Sequence, residues 1–379
     1  MYRMNLYNEY DFNVKKAKGV YIYDTQGNKY LDTYSGIGVM ALGHSYPEII
    51  KEQEKQIKRY EHISNFFVQN DAEEVASVLV EQTGRTGQVF FTNSGTEAVE
   101  AALKAVKKKT GNNGKRKIIT FNKSFHGRTL GALSLNGFEN LRAPFEPLLA
   151  DVIRVEFNDV EDINRTIDEY DEQIGAIFIE PVLGSGGVQP MTEAFAAIID
   201  DYCLKNDILL ISDEIQAGLG RTGQFYSYQH YSLHPDMITV GKPLGGGLPL
   251  GATVFLNGTE EIFQSGDHGS TFAPNPVSIA GGKIIVHKIP GMLKTIQKKG
   301  RYFKETLMET LEGRIKEIRQ IGLMIGLDLE TDKKDLRESA SKNGLLINVL
   351  KNNTIRLLPA FTVEYHEMDE MAGRLREIL

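Results

Sequence analysis

Tryptophan is absent from the chain and cysteine occurs once, at Cys203. A single thiol cannot close an intrachain disulfide, so nothing here calls for an oxidising compartment. Cys203 falls on a helical pattern and reads as a small core residue. No apolar run approaches the roughly 18 residues of a membrane-spanning helix, and the N-terminal stretch MYRMNLYNEYDFN lacks the apolar centre of a signal peptide. The expectation is a soluble, cytoplasmic protein without a membrane partner. Basic excess is missing too: Lys and Arg number 43 against 50 Asp and Glu, a net charge of -7. That balance argues against a general nucleic-acid binder, which shows a dominant basic face. The densest basic cluster, Lys107 to Lys109 with Lys115, Arg116 and Lys117, closes a predicted helix, where cations suit the dipole. The eight histidines show neither HExxH nor another ligand spacing, and no metal is expected. GxxxxGK[ST] is absent as well.

What is present is an alternation. Apolar, β-prone runs at 88–92, 117–121, 152–157, 176–180, 208–212, 237–240 and 252–256 are separated by helical patterns. Such alternation predicts an α/β layer with a mostly parallel sheet. Asn70 followed by Glu73 has the spacing of a capped start for a helix whose apolar face carries Ala72, Val75, Ala76 and Leu79. Thr192 is placed to cap a helix over 192–205, with Phe195, Ile198, Ile199 and Tyr202 on one face. Before these, GVYIYDTQGNKYLDTYSG reads as a hairpin turning at Thr25 to Asn28. After about residue 280 a lysine-rich helical stretch precedes short strands. The expected division is an N-terminal segment (1–45) that joins a C-terminal small α+β domain (281–379), around a large α/β domain (46–280).

Six stretches carry chemistry. In MITVGKPLGGGLPLGATVFL, Lys242 is held between two core-type runs, where its amine is poorly placed to reach water. Desolvation lowers a lysine's pKa and makes it a nucleophile towards carbonyls; the plain alternative is a strand-end lysine with its ammonium in solvent. In FFTNSGTEAVEAALKAV, Ser94 and Glu97 have capping-box spacing, which alone asks only for a capped helix. Gly95 and Thr96 add a bare backbone and a hydroxyl at a helix N-terminus, the makings of an anion cup. Asp213 ends the apolar run of ILLISDEIQAGLGRTG, where open α/β sheets bind ligands. A buried carboxylate there needs a cation opposite, a structural Arg or a ligand's, and Gln216 can turn its amide to the same ligand. GLGRTG matches GxGxxG, the mark of a nicotinamide-dependent dehydrogenase, but it neither follows its strand directly nor opens a helix.

In NKSFHGRTLGALS, Phe125 can stack on a flat ligand and Arg128 can clamp a carboxylate; equally, Phe125 is core and Arg128 pairs with a surface acid. His126 reads as a structural hydrogen-bonder rather than a metal ligand. GDHGSTFAPNP offers Ser270 and Thr271 as hydroxyl donors, or a plain turn. Arg356, inside the apolar run TIRLLPA, is an edge residue or a buried carboxylate receptor. Charge accounting joins these parts. An anion cup, a buried anion, an aromatic cover and an amine match the phosphate, ring nitrogen, ring and aldehyde of pyridoxal 5′-phosphate.

The segments NSGTEAVEAALK, SFHGRT, EPVLGSGGV, SDEIQAGLGRTG, GKPLGGGLPLGA and DHGSTF resemble, in order and spacing, the class-III pyridoxal-phosphate-dependent aminotransferases, from about Gly19 to the C-terminus. The resemblance implies the fold type I, aspartate aminotransferase-like architecture: a seven-stranded large domain, a small domain built from both chain ends, and a homodimer with shared active sites. FHGRT, the short length and RLLP resemble most the branch of arginine biosynthesis that moves the terminal amine of N2-acetylornithine to 2-oxoglutarate. Succinylornithine, ornithine, 4-aminobutyrate or carrier-bound lysine precursors are alternative donors, and a non-catalytic cofactor-binding homologue is an alternative of another class. By the same resemblance Lys242 carries the cofactor and moves the proton, and Asp213 faces the ring nitrogen. Glu214, Ile215 and Gln216 continue the cofactor-contacting run, Phe125 covers the ring, and Gly95 with Thr96 holds the phosphate. Thr271 reaches the phosphate of the other subunit, with Ser270 beside it at the substrate. Arg128 takes the distal carboxylate and Arg356 the α-carboxylate.

Two departures stand out. Gly184-Ser185-Gly186-Gly187 lacks the glutamate that the family usually sets opposite the arginine at 356. The expectation is an unpartnered Arg356 and weaker selectivity between terminal amines and α-amino acids, or a different donor. Donor turnover before and after Ser185→Glu measures this, and unchanged relative rates would dispose of it. Ala273-Pro274 replaces two glycines that the family favours in the phosphate loop.

Overall fold

The computed structural model describes residues 2–111, 114–330, 335–351 and 353–379. The N-terminal segment forms β1 (Val14–Lys18), β2 (Tyr21–Asp24) and β3 (Lys29–Asp32). The Thr25–Asn28 turn falls where expected, and Asp24 holds it. Its Oδ1 accepts the amides of Gln26 and Asn28, and its Oδ2 accepts the Asn28 amide side chain and the Tyr30 hydroxyl. Two helices follow, α1 (Pro47–Ile57) and α2 (Asn70–Glu81). The cap position of α2 is Gln69, without a side-chain bond, so Asn70 is the first helical residue rather than the cap.

The central layer begins with β4 (Gly87–Thr92), α3 (Gly95–Thr110), β5 (Lys117–Phe121), β6 (Val152–Val155) and β7 (Ile174–Ile179). It continues with α4 (Glu193–Asn206), β8 (Leu209–Asp213), β9 (Met237–Val240) and β10 (Gly251–Leu256). These strands make one seven-stranded sheet in the order β4-β10-β9-β8-β7-β5-β6. Only β10 runs against its neighbours β9 and β4; every other pairing is parallel. Strands β7 to β10 are buried along their whole length, as a sheet covered on both faces requires. Thr192 does cap α4, its hydroxyl accepting from the Phe195 amide.

The C-terminal part contains α5 (Pro276–Thr310), β11 (Ile315–Ile321), β12 (Met324–Leu329), β13 (Leu345–Leu346), β14 (Asn348–Val349), β15 (Thr354–Leu357) and α6 (Tyr365–Ile378). Strand β13 joins β3 in register Leu345↔Leu31, giving a β1-β2-β3-β13 sheet, while β11-β12-β15-β14 forms another. The chain's two ends therefore meet, as read from the sequence. Residue 280, where the texture changes, lies within α5. This helix is 35 residues long and is capped by Asn275, whose Oδ1 accepts from Val277 and Ser278. It packs on α1 and α2 through its first half and on β11 and α6 further along. GLGRTG is a turn, not a helix start: Arg221 is buried there and donates to the carbonyls of Leu323 (2.9 Å) and Pro359 (2.7 Å). No helix among the described residues is long and apolar enough to cross a membrane.

Candidate active site

The parallel strands all point their carboxyl ends at one edge, and five of the sheet's strands deliver a group there. Strand β4 delivers Ser94 to Thr96, β5 the loop with Phe125 and His126, β7 Glu180, β8 Asp213, and β9 Lys242. Gly95, Thr96, Phe125, His126, Gly127, Arg128, Glu180, Asp213, Ile215, Gln216 and Lys242 line a single cleft of 260 Å³. Such an edge is where open α/β sheets bind ligands.

The start of α3 is built for close approach. Ser94 caps the helix by accepting from the Glu97 amide, and Glu97 accepts in return from the Asn93 amide at 2.7 Å. A Cβ on Gly95 would come within 2.8 Å of the Ile215 side chain, and one on Gly127 within 2.1 Å of Thr96 Oγ1. Neither position has room for a side chain, so bare backbone lines the cleft at the positive end of the helix dipole.

Lys242 opens a tight turn after β9 with a φ of 44°, a left-handed conformation that a non-glycine residue adopts at a cost. Burial brings its amine down to about 8; Asp213 and Glu180 oppose that shift and Arg356 adds to it. Asp213 is buried, and its carboxylate is held on both oxygens. His126 Nδ1–H donates to Oδ2 at 2.7 Å, and the Ile215 amide donates to Oδ1 at 3.1 Å. The side chain paired with Asp213 is therefore a histidine and not the structural arginine weighed from sequence. Burial alone would lower the His126 pKa, but the bond and charge of Asp213, with Glu180, carry it above its ordinary value. Phe125 is half-buried and the Arg128 guanidinium lies 5.3 Å from its ring centre, at the exposed rim.

Several expected residues sit differently. Glu214 is buried but directs its carboxylate to Ser212, Ser227 and Tyr228 rather than into the cleft, and its main-chain N–H and C=O are engaged with Thr239 and Gly218. Ser270 and Thr271 do not line the cleft. Ser270 Oγ accepts from Asn93 Nδ2 at 3.2 Å, beside the start of α3, while Thr271 is exposed. Arg356 is buried on β15 and, with no glutamate at 185, is held by two side-chain amide oxygens. Its Nη1 donates to Gln216 Oε1 at 2.8 Å, and its Nε and Nη2 donate to Asn348 Oδ1 at 3.1 and 2.9 Å. Burial lowers its pKa to about 10, so it remains a cation at neutral pH.

Sequence reasoning passed over Glu180. Its carboxylate accepts the amides of Phe125 (2.7 Å) and Gly184 (3.1 Å), fixing the aromatic loop to the end of β7. Burial pushes its pKa up to about 7; nearby Asp213 adds to this, while His126 and the two amides oppose it. The available signal was the one used for Asp213: a charged residue directly after an unbroken apolar strand.

Residues 4–379 match the aminotransferase class-III family. The acetylornithine aminotransferase of Aquifex aeolicus is 41% identical over 380 residues, covering 100% of both chains. Among solved structures, the N-acetylornithine aminotransferase of Stenotrophomonas maltophilia K279a aligns with a TM-score of 0.83 at 28% identity, over 98% of this chain and 96% of that one. An ornithine aminotransferase from Toxoplasma gondii, described with partial occupancy of PLP at its active site, aligns with a TM-score of 0.91 at 27% identity, over 100% and 92%.

Proposed function

The chain belongs to the class-III aminotransferase family, and from that premise we propose that it moves the terminal amine of N2-acetyl-L-ornithine to 2-oxoglutarate. It is a pyridoxal 5′-phosphate-dependent enzyme. The cofactor, when bound, supplies an aldehyde for amine exchange and a protonated ring that draws electrons from the reacting carbon. The residues present fit it. The glycine-walled start of α3 suits a phosphate, Asp213 a protonated ring nitrogen, and Phe125 the flat face.

The observation that carries the reading is a desolvated lysine in the same cleft as a buried aspartate. With a pKa near 8, Lys242 is unprotonated often enough at neutral pH to act as a nucleophile, and its Nζ can take up and return a proton. His126 keeps Asp213 oriented and ionised. Gln216, which lines the cleft with its Oε1 engaged by Arg356, would offer its amide NH2 to the cofactor. Arg128 and Arg356 take the two substrate carboxylates, in the paired geometry that guanidinium groups favour.

A homodimer completes the site in this reading. Phe66 (96% exposed), Phe67, Val68 and Phe272 (62%) form an apolar surface beside Thr271. The Asn65 side chain ties their two loops together by donating to the carbonyls of Ser270 and Ala273. A second copy covering that surface would bring Thr271 to its neighbour's phosphate. The division into a cofactor-holding unit (46–280) and a small unit from both ends, and a cytoplasmic location, belong to the same proposal.

Borohydride reduction of the protein loaded with pyridoxal phosphate, followed by peptide mapping, tests the core of this reading. The expected product is one pyridoxylated peptide, containing Lys242. Label on another lysine, or none, overturns it. The rate of cofactor uptake by the free amine rises with pH as Lys242 deprotonates, and it is expected to level off just above pH 8. A profile still climbing towards the ordinary lysine range would mean a solvated amine. Glutamate formed from a panel of donors then fixes the donor, with N2-acetylornithine expected to outrun ornithine and 4-aminobutyrate.

A further inference from the structure

Arg356 is a buried cation, yet no carboxylate forms an ion pair with it among the described residues. Its partners are two neutral amide oxygens. Asn348 stands directly across from it in the β14–β15 register and accepts from Nε and Nη2 with one oxygen. Gln216, from the loop after β8, accepts from Nη1. A guanidinium has five N–H groups, and these bonds occupy three of them. Both Nη atoms thus keep an N–H that no described side chain takes up.

Neutral acceptors orient an arginine without cancelling its charge, whereas a carboxylate at the same place would do both. Asn348 has the one side chain that combines the shape of aspartate with zero charge. Gln216 adds a link. With Oε1 engaged by Arg356, its NH2 is left for the cleft that it lines, so the orientation of that amide depends on the orientation of the arginine.

We propose that Asn348 is a specificity-determining residue: it positions Arg356 without forming an ion pair with it, so that the cleft stays permanently open to substrates bearing a carboxylate at that point. Glu180 acts on that charge only through space. The proposal rests on the aminotransferase reading for the identity of those substrates. It explains how the arginine is held in a chain with serine at 185. It also assigns the cost of holding the buried cation to a side chain outside the glycine loop.

The test is Asn348→Asp, which keeps the shape and adds the charge, set against Asn348→Ala, which removes the bond. Calorimetric titration of the cofactor-loaded enzyme with glutarate, a dicarboxylate with no group to react, reads the site without turnover. Asn348→Asp is expected to weaken glutarate binding at least tenfold and to raise KM for 2-oxoglutarate similarly. The reaction of the loaded enzyme with N2-acetylornithine should change far less in rate. Asn348→Ala is expected to weaken glutarate binding only a few-fold, and a thermal melt checks that each variant is folded. If Asn348 were merely structural, Asn348→Asp would bind glutarate as well as the parent, because an aspartate holds the arginine more firmly; that result overturns the proposal. So does an equal loss in both variants. Either result leaves the labelling of Lys242 unaffected, so this inference can fail while the aminotransferase reading stands.

Discussion

Replacing Lys242 by alanine is expected to lower turnover by about 10⁴-fold, the upper range for loss of a positioned acid–base group. Two losses combine in this one change. The amine that would hold the cofactor aldehyde disappears, and so does the group that can move a proton at the reacting carbon. Among the described residues no other lysine lines the cleft, and a guanidinium does not give up its proton to serve as the base. Addition of a small amine such as methylamine should restore part of the rate, since it replaces the base but not its tether. Stopped-flow absorbance with N2-acetylornithine measures both. A variant retaining more than about a tenth of the parental rate would show that the proton moves elsewhere.

The second large effect is expected at Asp213. Asparagine there keeps the volume and an oxygen for His126 but removes the negative charge. Breaking a buried pair by removing one partner's charge costs roughly 3–5 kcal/mol, which translates to a fall of about 10²–10⁴-fold in turnover. The structure adds a signature that turnover cannot mimic. His126 stands above its ordinary pKa only because Asp213 and Glu180 outweigh burial. Without the Asp213 charge burial dominates, the imidazole loses its proton at a lower pH, and its NMR titration moves down. The raised pKa also sets the sign for stability. A native-state imidazole held above its unfolded value adds stability that is complete below the unfolded pKa and fades as pH rises through the folded one. In Asp213→Asn that contribution is expected to vanish, so the parent and variant stability curves should converge at alkaline pH.

Much of the fold was legible because its signals are local. Strands 117–121 and 237–240 coincide with the apolar runs that announced them, and Thr192 caps its helix through its own hydroxyl. The site was legible where a polar residue interrupts such a run, as at Asp213 and Lys242. The misses have physical reasons. Asn70 has the composition of a cap, but the chain enters the helix one residue earlier, at Gln69. Glu214 sits beside Asp213 in sequence, yet its carboxylate is taken up by Ser212, Ser227 and Tyr228. Asn348 gave no signal at all, because its role depends on a two-residue strand whose register with Arg356 is set only in the folded sheet. Nor could composition show that α5 runs through residue 280, since one helix serves both parts of the molecule.

That helix has a mechanical consequence. At 35 residues it is a rod roughly 50 Å long. One tip emerges from the loop bearing Thr271, and the other feeds the sheet that carries Arg356. A swing of the outer sheet cannot be free, because the rod must slide against α1 and α2 or flex at Pro290, where proline removes a rung from its hydrogen-bond ladder. One continuous element therefore joins the loop bearing Thr271 to the sheet that carries Arg356, and neither can shift without working against the packing of the rod.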